Sequence, residues 1–165
     1  MPSRRDAIRL TDDEVLEFLH EQRTLICATN GRNGWPHLMP LWYVVRDGEL
    51  WAWTFAKSQK VRNLERDARA TVQVEAGETY DQLRGVMFEC DTAIHRDLET
   101  VTGVGMELAA RYAPDRGTGG GSGEPGPPSD EMRAAFAAQA AKRVALQFCE
   151  RSRATWDHRK LAGAY

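Results

Sequence analysis

The sequence predicts a mainly β (α+β) fold, an antiparallel barrel of six or seven strands with short flanking helices at its ends. Three observations carry that expectation. Apolar and polar residues alternate along short segments, which puts one face of each in a core. These segments succeed one another through turn signals as hairpins, with few of the strand–helix–strand units that a parallel sheet requires. Helical patterns interrupt them only briefly, and 165 residues suffice for one domain, residues 1–165, with its own core.

The first element is a helix. Thr11 and Glu14 form a capping box, Leu10 and Val15 staple it, and Val15, Leu16, Phe18 and Leu19 give it an apolar face. Leu25–Thr29 reads as a short strand, and Asn30-Gly31-Arg32-Asn33-Gly34 as a turn. His37–Val45 returns, Asp47-Gly48 makes a tight hairpin, and Leu50–Phe55 alternates Leu50, Ala52 and Thr54 with Trp51, Trp53 and Phe55. A short helix from about Gln59 to Arg66 leads to an alternating strand, Ala70–Ala76. A longer strand from about Gly85 to His95 carries Val86, Phe88, Cys90, Thr92 and Ile94 on one face. Asp97 caps a helix to about Tyr112, with Val101, Val104, Leu108 and Tyr112 at helical spacing. Pro114–Asp130 holds six glycines and four prolines in seventeen residues, which marks a flexible insertion. It ends without the Lys-Ser/Thr of a phosphate loop. An alanine-rich helix resumes near Ser129, and Arg143–Glu150 and Ala154–Trp156 read as two closing strands.

Composition excludes several classes. With 22 basic and 24 acidic residues the net charge is −2, so no basic excess exists to drive nucleic-acid binding. No run of about 18 apolar residues occurs that could span a membrane. The opening MPSRRDAIRLTDDE lacks the apolar core of a signal peptide, and Cys27, Cys90 and Cys149 stand singly in apolar segments. Reduced, buried thiols and a cytoplasmic location are expected. Histidines 20, 37, 95 and 158 show no metal-ligand spacing with one another or with the cysteines, and no metal site is expected.

The chemistry is concentrated between Leu50 and Val74. An apolar strand delivers Lys57, Ser58, Lys60 and Arg62, with no acid among them, to the start of a helix. A helix N-terminus offers unpaired N–H groups and a partial positive charge, which welcome an anion. Cations there oppose the helix dipole unless a ligand or carboxylate compensates, so the cluster reads as a phosphate grip. A solvated charged face is the ordinary alternative. Pro40, inside HLMPLWYVV, cannot donate to a ladder, so its strand is an edge or is bent. Such a strand could lay backbone along a planar ring, with Leu41, Trp42 and Trp53 as flat walls.

Taken together, HLMPLWYV, a hairpin, LWAWTF and then KSQKVRNLERDARATV resemble the split β-barrel flavin-binding proteins related to pyridoxamine 5′-phosphate oxidase. They are most similar to the actinobacterial branch of flavin and deazaflavin oxidoreductases. The resemblance covers about His37 to Val74 well and the ends loosely. It implies that Lys57, Ser58, Lys60 and Arg62, with Val61 between them, hold the cofactor phosphate. Trp53 and Thr54 would lie beside the ribityl chain and ring, and Pro40, Leu41 and Trp42 along the ring edge. It further implies a homodimer with each cofactor in the groove between subunits, reached by Trp156, His158 and Arg159 of the neighbour. The Arg-x-His of the vitamin B6 oxidases is not evident, so oxidation of pyridoxamine phosphate is not expected.

Two cofactors fit this resemblance. FMN needs one phosphate site, whereas the deazaflavin coenzyme F420 carries a phosphodiester and a polyglutamate tail. Lys57, Lys60 and Arg62, with Arg66 or Arg69 further along, favour F420. The expected activity is hydride transfer from reduced deazaflavin to a planar conjugated acceptor such as a quinone, tetrapyrrole or unsaturated lactone. No catalytic acid is assigned. The alternatives are an FMN enzyme of the same fold, a flavin carrier without turnover, and a haem-binding relative using His37, His95 or His158.

Overall fold

The computed structural model describes residues 3–113 and 129–161. The predicted insertion at 114–130 falls mostly outside the described residues. Six antiparallel strands close into a barrel in the order β1-β2-β3-β6-β5-β4: β1 Thr24–Asn30, β2 Pro36–Arg46, β3 Glu49–Phe55, β4 Arg69–Ala76, β5 Arg84–His95 and β6 Arg143–Asp157. The helices are α1 Arg4–Ala7, α2 Asp12–Glu21, α3 Gln59–Arg66, α4 Leu98–Tyr112 and α5 Asp130–Ala140.

Local chemistry accounts for the element boundaries. Thr11 and Glu14 exchange the two hydrogen bonds of a capping box at the start of α2. Asp47 (φ 51°) and Gly48 (φ 80°) make the left-handed two-residue turn that joins β2 to β3 with matching twist. Asp97 caps α4 by accepting from the Thr100 N–H.

The two closing strands expected from the sequence are one. β6 runs unbroken for 15 residues, pairing β3 along one edge and β5 along the other. Glu150 lies opposite Cys90 and Ser152 opposite Glu89, so Arg151 is the extra residue of a bulge. A bulge breaks the alternation locally and bends the strand without ending it, which is how one strand came to read as two.

Inward residues of every strand fill the barrel, among them Leu25, Cys27, Ala52, Val72, Val86 and Leu146. A second apolar cluster lies outside it, where Val101, Val104 and Leu108 of α4 and Ala140 of α5 cover Val44 and Ala145, with Trp51 and Trp53 packed alongside. Gly105 permits this contact, since a Cβ there would stand 2.9 Å from the Trp53 ring.

The wall parts at one seam. The β2–β3 ladder runs only from Tyr43–Ala52 to Arg46–Glu49. Beyond it, residues 36–42 of β2 pair with β1 alone, and Trp53, Thr54 and Phe55 of β3 pair with β6 alone. Pro40, opposite Ile26, sits on this free edge, as its missing N–H requires.

Candidate functional site

The seam ends at α3. Ser58 is the N-cap of α3, yet its side chain caps nothing, and its Oγ is buried without a hydrogen-bond partner. Lys60 is 7% exposed, and its Nζ donates to Thr54 Oγ1 at 3.0 Å. No carboxylate compensates it among the described residues, and burial pushes its pKa below the ordinary lysine value. A buried ammonium with one neutral acceptor and a buried hydroxyl with none are both costly in the bare fold. At a helix N-terminus they have the donors and the charge to hold a phosphate.

Asn63 builds the floor, and sequence reasoning missed it. It is fully buried; its Oδ1 accepts from Gln59 Nε2 at 2.9 Å and its Nδ2 donates to Thr29 Oγ1 at 3.0 Å. The bonds tie the first turns of α3 to β1. The available signal was an amide three residues after Lys60, on the same side of the helix, in an element whose Val61 and Leu64 are buried in the barrel. Val61 therefore serves as an anchor of α3. Lys60 also lies on the buried side.

Lys57 and Arg62 are exposed. On the outer side of α3, Arg62 joins Arg32, Gln59, Glu65 and Arg66 around an open cavity of about 500 Å³. Arg62 and Arg66 thus lie together, with Arg32 of the β1–β2 turn beside them and one acid, Glu65, among them. Arg69 is engaged elsewhere, in a fork on Asp67 that holds the Asp67 carboxyl far below the usual range.

The free edge of β2 presents its residues alternately. His37, Met39 and Leu41 face inward, level with Thr29, Cys27 and Leu25 of β1. Leu38, Pro40 and Trp42 face outward and are exposed, and Trp42 stacks on Tyr112 at 4.4 Å. Burial pushes the Cys27 thiol up to about 12, so it is inert packing. Neighbouring strand residues point to opposite faces, and this separates Trp53 from Thr54. Thr54 turns into the barrel toward Lys60. Trp53 turns outward, with the Arg143 guanidinium 4.3 Å over its ring.

Trp156, His158 and Arg159 are not brought to α3 within this chain. Phe55, just before the α3 turn, pairs with Arg143, and Trp156 is 156 − 143 = 13 positions further along β6. Trp156 lies over Gly85, where any Cβ would stand 2.4 Å from the indole. His158 Nδ1 bonds the Tyr80 carbonyl at 2.8 Å, and Arg159 forks onto the buried Asp157.

Comparison with known proteins follows this geometry. The sequence model of the family described as pyridoxamine 5′-phosphate oxidase matches residues 11–147. Among curated proteins no match is found. A conserved hypothetical protein of Mycobacterium tuberculosis, Rv2991, superposes with a TM-score of 0.83 at 38% identity, over 98% of this chain and 93% of that one. An F420 reductase superposes with a TM-score of 0.59 at 18% identity, over 83% and 93% of the two chains. The haem storage protein HutZ of Vibrio cholerae gives 0.61 at 17% identity, over 86% and 91%. The last two likenesses concern the fold alone.

Proposed function

Since the chain belongs to the pyridoxamine 5′-phosphate oxidase family, we propose that it is an F420-dependent reductase of that family. When bound, the reduced deazaflavin supplies hydride to a planar conjugated acceptor such as a quinone, tetrapyrrole or unsaturated lactone. The observation that carries the reading is the unsatisfied pair at the start of α3, the partnerless Ser58 Oγ beside the uncompensated Lys60 ammonium.

Ser58, Lys60 and the first N–H groups of α3 hold the phosphate, and Lys57 meets it from the exposed side. Arg32, Arg62 and Arg66 take the further anionic charges, which supports F420 over FMN because FMN has none beyond its phosphate. Leu41 and Met39 give the ring an apolar wall, and the unpaired edge of β2 offers it backbone donors and acceptors. In this reading the ring lies along the parted seam, whose apolar lining would exclude water from the reacting face.

The reading includes a homodimer with the cofactor between subunits. Support comes from the exposed apolar side chains of Trp35, Leu38, Trp42 and Phe55, just before and along β2 and at the end of β3. In that arrangement Trp156, His158 and Arg159 act on the neighbour's site. An FMN enzyme of the same architecture is the second reading, using Ser58 and Lys60 and leaving the arginine cavity to solvent.

Quenching of F420 fluorescence, with FMN titrated in parallel, tests the proposal. Tight F420 binding with weak FMN binding is expected. The reverse preference moves the protein to the FMN enzymes, and binding of neither removes the case for hydride transfer.

A further inference from the structure

His37 is a half-buried polar side chain near the seam that no role above accounts for. Its Nδ1 is buried without a partner, and neither ring nitrogen makes a hydrogen bond among the described residues. The other partly buried histidines are engaged. His95 Nε2 bonds Gln147 at 2.8 Å while its ring stacks on Trp51, and His158 bonds the Tyr80 carbonyl.

Its position in the register makes the lack of a partner informative. His37 stands opposite Thr29, whose hydroxyl is the acceptor for Asn63 of α3. Side chains directly opposite on one face approach within about 5 Å at Cβ, so the imidazole stands beside the Thr29 hydroxyl that anchors Asn63 of α3. The partnerless Ser58 hydroxyl is at the same end of the seam. Along the inward face of β2, each two-residue step covers about 6.6 Å. His37 is therefore nearest the anion end, and the apolar Met39 and Leu41 follow in that order. A ligand with its phosphate at Ser58 and Lys60 and its ring against Met39 and Leu41 would bring the linking chain past His37. A neutral imidazole donates from one nitrogen and accepts at the other, which suits a chain of hydroxyls. His37 is only half-buried, and a half-turn about its Cβ–Cγ bond exchanges the two sides of the ring without moving backbone.

We propose that His37 is a ligand-contacting residue whose imidazole hydrogen-bonds the hydroxylated chain joining phosphate to ring in a bound flavin or deazaflavin. This rests on the cofactor reading above. His37 acts in binding.

The test is fluorescence titration of wild type, His37→Ala and His37→Asn with F420, with FMN, and with a flavin phosphate whose linking chain has the same number of carbons and no hydroxyls. His37→Ala should bind the better natural cofactor about tenfold more weakly, as for one lost buried hydrogen bond. It should bind the hydroxyl-free analogue as wild type does. His37→Asn, which keeps a polar group near the Nδ1 position, should recover part of the loss. Equal losses for both kinds of ligand, or no loss for either, overturn the proposal while wild-type binding leaves the cofactor reading standing. Failure of wild type to bind F420 or FMN overturns both. A Soret band on haem titration that disappears in His37→Ala overturns the proposal in favour of an axial-ligand role.

Discussion

The two ends of the barrel treat their buried polar groups in opposite ways. At the end away from α3, Asp157 is 3% exposed and receives a guanidinium fork from Arg159. The Tyr43 hydroxyl donates to the Leu19 carbonyl at 2.7 Å, and Arg111 donates to the carbonyls of Leu19 and Gln22. The Tyr112 hydroxyl closes the last gap, bonding Arg23 O and both backbone groups of Tyr43 where the β1–β2 ladder stops. At the α3 end, Ser58 Oγ and His37 Nδ1 have no partner, and Lys60 has one neutral acceptor. Polar groups of the first kind hold the fold together; groups of the second kind cost stability unless something else binds. That contrast separates scaffold from site more sharply than charge density does, because both ends are rich in charge.

Substitutions can break the contrast from either side. The largest effect is expected at the satisfied end: Asp157→Ala should lower unfolding free energy by about 2 kcal/mol in denaturant titration, through the charge-assisted hydrogen bonds from the Arg159 guanidinium and backbone N–H that it removes. In the dimer reading it should also weaken F420 binding, because it releases the Arg159 that acts on the neighbour's site, and unchanged affinity would remove Arg159 from that site. The same residue sets a pH signature. Its hydrogen bonds with Arg159 hold the Asp157 carboxyl below its ordinary pKa. Its contribution is therefore complete above the unfolded-state pKa and is lost as pH falls through the folded one. Asp157→Asn should flatten that part of the acid limb of stability relative to wild type.

At the other end, Lys60→Ala with Arg62→Ala should weaken cofactor binding tenfold or more, at least about 1.4 kcal/mol. The bare protein should lose little stability, since the Lys60 ammonium is buried at a cost. Calorimetry that finds affinity retained would remove the phosphate grip from α3. The smallest effect is the most discriminating. Ser58→Ala should change stability by less than about 0.5 kcal/mol, because the hydroxyl has no partner to lose, yet reduce affinity by about three- to tenfold. A destabilised apo protein with unaltered affinity would reverse the assignment of this hydroxyl.

Much of the scaffold was legible because its signals are local. The Thr11–Glu14 box, the Asp47-Gly48 turn, the Asp97 cap and the alternation in β3 and β4 each need only a few neighbouring residues. The α3 turn was legible as a basic cluster. Parity along β3 already implied that Trp53 and Thr54 face opposite ways, although both were expected beside one cofactor. What stayed hidden depends on partners distant in sequence. The Asn63–Thr29 bond spans 34 residues, and the isolation of His37 depends on what β1 and α3 do not supply. The unity of β6 was masked by the polar run Glu150-Arg151-Ser152-Arg153, which carries the bulge.

The undivided β6 has a kinetic consequence. The hairpins β1–β2, β2–β3 and β4–β5 bring together residues close in sequence, but the ring closes through β6 on β3. Pairing Leu50 with Phe148 joins positions 148 − 50 = 98 apart. The entropy of that loop must be paid before the contact returns anything. The slow step in folding is thus expected to be the docking of one long stave, and substitutions on the β3-facing half of β6 should slow refolding more than those in the early hairpins.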